Sequence, residues 1–434
     1  MGDPVSSVAY AIEAALRALH GDLALLVVTM AVVMGIVALV DVNYHQLIGH
    51  FPRGGGSAAA AARSFGDGWA FVPLGSLIVD YALTIAISVA AGSSAIIAYV
   101  PQLAASRIPI ALALTVLVGL LTLFGHGGRA IFAAMTIAFV AIAAVVLVHG
   151  FVAPVAVGPV ATVFGGAQHS PPLAVLLAFP VGMALATGTE APSSAIAQLG
   201  QIDDRSRVEF GRITIWLTLG IVMFLTLGLA VLAVRLHAGI PPADSTQIAV
   251  IAADAVGKGG FYAAFQIASA LILLSAANSS FNAGPGLLKA LARSEQGDGG
   301  FGILPSWLSR TNRHHTPYWG VAVFLAVSAT LVLAARGQDQ VLVLFYAVAV
   351  FLSFLFGLLA MAVTSWREGR WGLVIVNALG SGLVALTLGV DLIRVYPIAS
   401  LVGAVLIAGV LYWRWVRAGR PRGVSDIESV AEKD

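Results

Sequence analysis

The chain has 434 residues, of which 59% are hydrophobic and 10% charged, with a formal net charge of +2. Soluble domains carry roughly 25% charged residues, so this composition excludes an ordinary soluble enzyme or binding domain. Apolar stretches of about 18 or more residues recur along the chain, which is typical of a polytopic helical membrane protein. The sequence has no cysteine, which excludes disulfides and thiol chemistry.

In chain order, the apolar stretches predict about twelve spans. Their predicted bounds are 4–20, 22–41, 70–99, 107–124, 130–150, 172–198, 210–236, 260–288, 317–335, 340–364, 371–389 and 394–416. With the N-terminus inside, only six of the 23 Lys and Arg residues fall outside or near the outer ends: Arg17, Arg107, Arg235, Lys258, Arg336 and Arg394. This positive-inside bias predicts a multi-pass protein of the cell (plasma) membrane with both termini in the cytoplasm.

Two short segments fit neither a span nor a simple loop. Residues 51–68, "FPRGGGSAAAAARSFGDG", follow span two, and their alanine-rich run predicts a short helix. Residues 240–260, "IPPADSTQIAVIAADAVGKGG", follow span seven on the opposite face and predict another. This correspondence is typical of an inverted five-plus-five repeat. We expect a transmembrane transporter domain over 1–416, with repeats at about 1–150 and 172–364 and two further helices at 371–416, followed by a short charged cytoplasmic tail over 417–434.

Asp80 interrupts the apolar stretch "LIVDYALTIAISVAAG" over residues 77–92. An ionised carboxylate at the bilayer centre costs about 2.5–3.5 kcal/mol on insertion scales, so it has to face the protein interior, pair with another group or bind an ion. Thr84 and Ser88 follow at four-residue spacing and share its helix face. A carboxylate and two hydroxyls are hard oxygen ligands suited to an alkali cation. The alternative is a structural carboxylate that is protonated or hydrogen-bonded.

Glu190 is the other carboxylate expected at mid-membrane depth, in "ALATGTEAPSSAI" over residues 184–196. Gly188 and Pro192 predict that this helix is broken and that its freed carbonyls line a site. A comparable interruption in span one, "DPVSSVAYAIEAAL" over residues 3–16, predicts a second broken helix. Glu13, in that span, is open to two interpretations, a structural hydrogen bond or proton handling. The alternative for the hydroxyls of Ser6, Ser193 and Ser194 is that each bonds a backbone carbonyl of its own helix and does not line a site.

These segments, together with "VDYALTIAISVAAG", "TGTEA" and "FYAVAVFLSF", give the chain a specific resemblance. Over nearly its whole length it resembles the amino acid–polyamine–organocation (APC) superfamily, and within it the KUP potassium transporter family, in particular the KimA-like potassium–proton symporters. The resemblance implies an all-α polytopic membrane protein with a LeuT-like five-plus-five inverted repeat, about 12 transmembrane helices and broken helices 1 and 6. It does not extend to the C-terminal cytoplasmic domain of that family, so the cyclic-dinucleotide regulation of that domain is not implied.

The resemblance also implies a potassium site. Its ligands fall on Asp3 and Tyr10 of helix one, on Asp80, Tyr81, Thr84 and Ser88 of helix three, on Thr187 of helix six and on Tyr346 of helix ten. Within this set, Asp80, Thr84, Ser88 and Tyr10 are expected to replace the hydration shell of the ion. Glu190 matches the helix-six glutamate and is expected to carry the coupled proton. Asp80 is the alternative carrier, because two nearby carboxylates titrate as a coupled pair.

The resulting expectation is a secondary active potassium importer that works by potassium–proton symport and alternating access. Its expected partners are potassium and protons as substrates and the lipid bilayer, with no cofactor, no nucleic acid and a homodimer as a possible assembly. No nucleophile–base constellation is present, so no enzyme is expected. A proton-coupled amino acid permease of the same fold stays open, although "VSSVAY" offers no glycine at the helix-one break. A non-transporting membrane sensor or subunit stays open as well.

Overall fold

A computed structural model describes residues 2–52, 54–125, 129–155, 165–166, 168–190, 203–292, 302–393 and 395–421, and most of these are helical. The α-helices are α1 (Gly2–Ser6), α2 (Val8–Ala18), α3 (Leu23–His50), α4 (Gly56–Phe65), α5 (Phe71–Tyr99), α6 (Arg107–Thr122), α7 (Arg129–Val152), α8 (Pro171–Gly182), α9 (Asp204–Arg235), α10 (Gln247–Val256), α11 (Gly260–Ala292), α12 (Tyr318–Ala334), α13 (Asp339–Arg367), α14 (Trp371–Leu392) and α15 (Val395–Arg417).

Within the described ranges, nine of these helices are long and apolar enough to cross a membrane. These nine helices are α3, α5, α6, α7, α9, α11, α13, α14 and α15. Shorter apolar helices over Pro171–Ala186, Gln247–Val256 and Tyr318–Ala334 accompany them. The chain is therefore a multi-pass helical membrane protein, as its composition predicts.

Helix α3 is longer than the span predicted at 22–41. Its C-terminal turns are polar, which ends the hydropathy signal, but Asn43 and Gln46 in these turns are buried and hydrogen-bonded to α14. Asn377 of α14 accepts a hydrogen bond from Asn43 (3.0 Å) and donates one to Gln46 (2.9 Å). We call Asn43, Gln46 and Asn377 the amide cluster. Because buried polar groups cost little once they are paired, the helix continues to His50.

Both short interhelical segments fold as the sequence predicts. Helix α4 lies between Gly55 (φ +111°) and Gly66 (φ +107°), whose positive φ favours glycine and ends the helix on each side. Helix α10 begins at a capping threonine, Thr246, whose hydroxyl accepts a hydrogen bond from the amide of Ala249 (3.3 Å).

The packing of the helices follows the inverted repeat. In the first half α4 packs on α13, and in the second half its counterpart α10 packs on α7. The pair of α5 with α13 corresponds in the same way to the pair of α11 with α7, and α6 with α11 corresponds to α12 with α5. Helices α5 and α11 form the most extensive pair at the centre of the bundle. These matched contacts confirm the LeuT-like five-plus-five arrangement.

Candidate functional site

The break in the sixth span forms one wall of the site. After α8, a 3-10 turn over Met183–Ala186 leads to Thr187 with extended backbone (φ −54°, ψ 127°) and to Gly188 with a left-handed φ of +74°. The hydroxyl of Thr187 donates to the carbonyl of Ala184 at 2.6 Å, so its oxygen keeps its lone pairs for other groups. The predicted break of helix six is confirmed as far as Glu190, while Pro192, Ser193 and Ser194 lie outside the described residues.

The break in the first span is narrower than the sequence suggests. Only Ser7 separates α1 from α2, and its backbone stays in the right-handed helical region (φ −66°, ψ −21°). Its hydroxyl lies 2.6 Å from the carbonyl oxygen of Pro4 and 3.0 Å from that of Leu185. The first span is therefore joined to the broken sixth span through a side chain, and Ser6 bonds its own helix as expected, donating to the carbonyl of Asp3 at 2.7 Å.

Tyr10 and Asp3 bring the first span against this break. The Tyr10 hydroxyl donates to Oγ1 of Thr187 at 3.2 Å. A Cβ placed on Gly188 would lie 2.7 Å from Cγ of Asp3, which is closer than real Cβ contacts. Gly188 is therefore required twice, by its positive φ and by the carboxyl group that packs against its Cα.

Helix α5 supplies the opposite wall. Asp80 is buried, and Oδ1 accepts a hydrogen bond from the Thr84 hydroxyl at the long distance of 3.5 Å. Glu190 and Tyr346 both place polar side-chain atoms beside the Asp80 carboxyl. The Tyr346 hydroxyl also faces Thr187, but it reaches full hydrogen-bond geometry with no described residue. Together with Asp3, three carboxyl groups and several hydroxyls thus meet inside the bundle.

Unpartnered buried oxygens mark this region. Among the residues that the structure describes, Oδ1 of Asp3, Oγ of Ser88 and the hydroxyl of Tyr346 are buried without a hydrogen-bond partner. Buried polar atoms in folded proteins nearly always have a partner, so such a group of atoms needs completion by water or by a ligand. All are hard oxygen donors, which suit an alkali cation and are poor ligands for a soft transition metal.

The structure brings together most of the residues expected at the site. Asp3, Tyr10, Asp80, Thr84, Thr187, Glu190 and Tyr346 converge as described above. Ser88 is eight residues beyond Asp80, so it lies about 12 Å further along the axis of α5. Tyr81 is half-buried and packs against two hydrophobic clusters of the bundle. The roles of all these residues as ligands stay predictions.

Tyr44 is a member of the site that sequence reasoning missed. It lies on α3 and is buried, and its hydroxyl donates to Oε2 of Glu190 at 3.4 Å. Asp41, Asp339 and Asp391 are further carboxyl groups buried within the helix bundle, the last two close to helix ends. The sequence signal that could have indicated these buried residues is their position close to the end of an apolar run. Polar residues at such positions are equally typical of a helix that is leaving the membrane.

One end of the site is closed by two hydrogen-bonded groups. In the first, Glu13 accepts from Arg17 at 2.8 Å and from the backbone amide of Gln247 on α10 at 2.9 Å. Glu13 thus has the structural hydrogen bonds that formed one of its two interpretations. These contacts fasten the first span to the short helix that follows span seven.

The second group joins α5, α6 and α13. Arg107 donates to the hydroxyl of Ser94 at 2.6 Å, and this hydroxyl donates to Oδ1 of Asp339 at 2.7 Å. Gln340 donates both to Oδ2 of Asp339 at 3.0 Å and to the carbonyl of Tyr10 at 3.3 Å. Through Gln340, this network contacts the backbone of Tyr10 and holds the first span against α13.

Comparison with known proteins identifies the family. The sequence model described as "Amino acid permease" matches residues 1–416. The chain belongs to the amino acid permease family. Its members are membrane permeases, so membership also confirms that the chain is not an enzyme.

The potassium transporter KimA of Bacillus subtilis (strain 168) is 28% identical over 393 residues, which cover 87% of this chain and 63% of that protein. The chain thus spans about 63% of the length of this curated relative. The similarity confirms the predicted resemblance to KimA-like proteins within the amino acid permease family.

Two solved structures of manganese transporter mutants from Eremococcus coleocola also resemble the chain. One has a TM-score of 0.47 at 14% identity and covers 96% of this chain and 94% of its own. The other has a TM-score of 0.43 at 14% identity and covers 95% of both chains. In the described part of this permease, no group of three or more His, Cys, Asp or Glu residues is placed to hold a metal ion.

Proposed function

We propose that this permease is a secondary active importer that takes up potassium together with a proton. The observation that carries the proposal is the pair of unpartnered buried oxygens of Asp3 and Tyr346 at the carboxyl group of Asp80, with a further unpartnered oxygen, that of Ser88, along the same helix. A dehydrated alkali cation needs oxygen ligands to replace its water shell, and these atoms offer them. The named relative is a potassium transporter, which supports potassium as the cation.

The spread of the oxygens along α5 favours successive ion positions over a single coordination shell. Asp80 and Thr84 are one turn apart and can serve one cation with Tyr10 and Thr187. Ser88 lies about 12 Å from Asp80 along the helix axis, which exceeds the reach of one ion. Ser88 is therefore assigned to a neighbouring position on the path of the ion.

Glu190 is assigned the coupled proton. Its carboxyl group lies beside that of Asp80 and accepts a hydrogen bond from Tyr44. Two carboxylates this close repel each other when both are ionised, so binding a cation and releasing a proton are linked at this pair. Asp80 is the alternative proton carrier, and uptake measured with either carboxyl group neutralised separates the two assignments.

The same geometry disfavours an amino acid as the substrate. The carboxylates of Asp80 and Glu190 would face the substrate carboxylate with like charge, and the break of the first span has Ser7 where a glycine would expose backbone amides. Uptake by alternating access requires the network of Arg107 and Asp339 to open on the side that we assign, from the positive-inside bias, to the cell exterior.

Rubidium uptake into liposomes that contain the purified chain tests the proposal. An inward proton gradient should drive accumulation, and Asp80→Asn should reduce it by about 100-fold, because removal of a buried charged ligand costs several kcal/mol. Asp391→Asn, which neutralises a buried carboxyl group of α14 outside the site, is the matched control. Unchanged uptake in Asp80→Asn, or stimulation by an amino acid without rubidium flux, contradicts the proposal.

A further inference from the structure

A small cavity lies next to the candidate ion site, between α1, α3, α9 and the break after α8. It has room for roughly one water molecule. Its lining is mostly aliphatic, and Asp41 is the one titratable residue among those that line it. Two hydroxyl side chains, Thr189 and Thr218, complete the polar part of the wall.

The carboxyl group of Asp41 is buried, with 4% of the residue exposed, and it makes no hydrogen bond or ion pair with any residue that the structure describes. Oγ1 of Thr218 in the same wall is likewise buried without a hydrogen-bond partner. A buried carboxylate without a partner is costly, whereas the neutral acid is tolerated. The cavity thus combines a group that favours a bound proton with space for a water molecule that can exchange it.

The position of the cavity links it to the ion site. Thr189 directly precedes Glu190, and the other wall contains Pro4, which directly follows Asp3. One turn further along α3, Tyr44 donates its hydrogen bond to Glu190. Asp41 and Tyr44 therefore lie on one face of α3, beside the carboxyl group assigned to the coupled proton.

Asp41 lies within three turns of the C-terminal end of α3. Nine residues separate Asp41 from His50, the last residue of the helix, which is a distance of about 14 Å. Along this stretch Arg212 of α9 is bonded to the carbonyl of His45 at 3.3 Å, so its charge is turned to the helix end rather than to the cavity. On the adjoining elements, the titratable residues next in the chain to residues that line the cavity are Asp3, beside Pro4, and Glu190, beside Thr189.

We propose that Asp41 is a second proton-binding site, which exchanges the coupled proton with Glu190. In this step the Asp41 carboxylate takes a proton from a water molecule held in the cavity, and the Glu190 acid returns a proton to that water and becomes a carboxylate. The reverse sequence moves the proton back to Glu190, so that only O–H bonds are broken and formed. A proton fits better than a potassium ion, because one carboxyl group and two hydroxyls are too few oxygens to replace a hydration shell. The proposal rests on the proton coupling of the proposed function.

The variant Asp41→Asn tests the proposal, because it keeps the size of the side chain but cannot bind a proton. It should bind rubidium within about twofold of the wild-type affinity and retain rubidium–rubidium exchange, while proton-driven uptake falls by about tenfold. Infrared difference spectra between acid and neutral pH should show a carboxylic-acid band in the wild type that Asp41→Asn lacks. Asp391→Asn is the matched control in both measurements and should retain the band and the uptake.

Wild-type proton-driven uptake in Asp41→Asn, an unchanged infrared band, or weakened rubidium binding each overturns the proposal, the last because Asp41 would then be an ion ligand. If the wild type shows the band but no proton-driven rubidium uptake, the site at Asp41 stands and the proposed function fails. If Asp41→Asn does not fold, Asp41→Glu replaces it: proton-driven uptake with a shifted pH optimum supports the proposal, and an unchanged pH profile overturns it.

Discussion

Gly188→Ala probes the contact between the two broken spans. Gly188 lies in the turn after the 3-10 segment with a φ of +74°, and its Cα faces the carboxyl group of Asp3. A Cβ at this position would lie 2.7 Å from Cγ, 2.8 Å from Cβ and 3.0 Å from Oδ2 of Asp3. The substitution therefore imposes both backbone strain and a clash with a predicted ion ligand.

The two effects differ in size and in consequence. An alanine in the left-handed region costs about 1–2 kcal/mol relative to glycine. Ordinary contact between carbon atoms begins at about 3.5 Å, so the Asp3 carboxyl group has to move by about 1 Å. We expect rubidium to bind about tenfold more weakly to Gly188→Ala, equivalent to about 1.4 kcal/mol, because a charged ligand leaves its position.

Gly369→Ala is the matched control. Gly369 has nearly the same φ, +72°, and a Cβ there meets nothing within 4 Å. Both variants should unfold about 1–2 °C below the wild type in thermal scans, since they share the backbone strain. Only Gly188→Ala should lose affinity in an equilibrium rubidium-binding assay. The reasoning is refuted if Gly188→Ala binds rubidium as tightly as Gly369→Ala does.

Three further predictions concern stability and access. Asn377→Leu should lower the free energy of unfolding by about 1–3 kcal/mol, because it leaves the buried Oε1 of Gln46 without its donor and removes the side-chain acceptor of Asn43. The hydrogen bond from His50 lowers the pKa of Glu368 below its ordinary value of 4.5, so ionised Glu368 stabilises the fold above that value and the contribution is lost as the pH falls. Thermal scans at decreasing pH should therefore show a smaller acid-side loss for Glu368→Gln than for the wild type. Ala14 is buried on α2, one turn beyond Tyr10. In Ala14→Cys, a membrane-impermeant maleimide should react about tenfold faster when Arg107 is replaced by Ala, since opening the network exposes the buried thiol.

Each of these predictions has a control within the chain. Ser381→Ala removes a hydroxyl that bonds only its own helix carbonyl on α14, so its unfolding free energy should change far less than that of Asn377→Leu. An equal acid-side loss in wild type and Glu368→Gln would assign that loss to other carboxylates. A cysteine at the exposed position of Lys258 should react at the same rate with or without Arg107, and equal rates at Ala14 would mean that Arg107 does not close this end of the site.

Much of the fold is predictable from composition and spacing. Long apolar runs with few charges require helices that span a bilayer, because backbone groups in lipid have to bond within their own helix. The short helices α4 and α10 follow from glycine, proline and threonine boundaries at corresponding places in the two halves. The end of α3 was predicted too early, since hydropathy does not register that Asn43 and Gln46 find their partner on α14.

The candidate site divides in the same way. Two of its three carboxyl groups could be placed by local polarity, because Asp80 and Glu190 stand out against apolar neighbours at a depth where charge is costly. Contacts between distant segments required the tertiary structure: the bond from Tyr10 to Thr187, the packing of Asp3 on Gly188, and Tyr44 against Glu190. None of these has a local signature, since the partners are between 146 and 185 positions apart in the chain.

The sequence by itself determined that this protein spans a membrane with helices, where two of those helices are broken and that Asp80 and Glu190 have to be buried, because each of these follows from local polarity and backbone preference. Only the tertiary structure decided which oxygens converge, which of them lack partners, and that Asp41 faces a cavity beside the site. Those properties depend on how the two halves of the chain pack together, and the cost of burying a polar group is set by its neighbours in space and not by those in sequence.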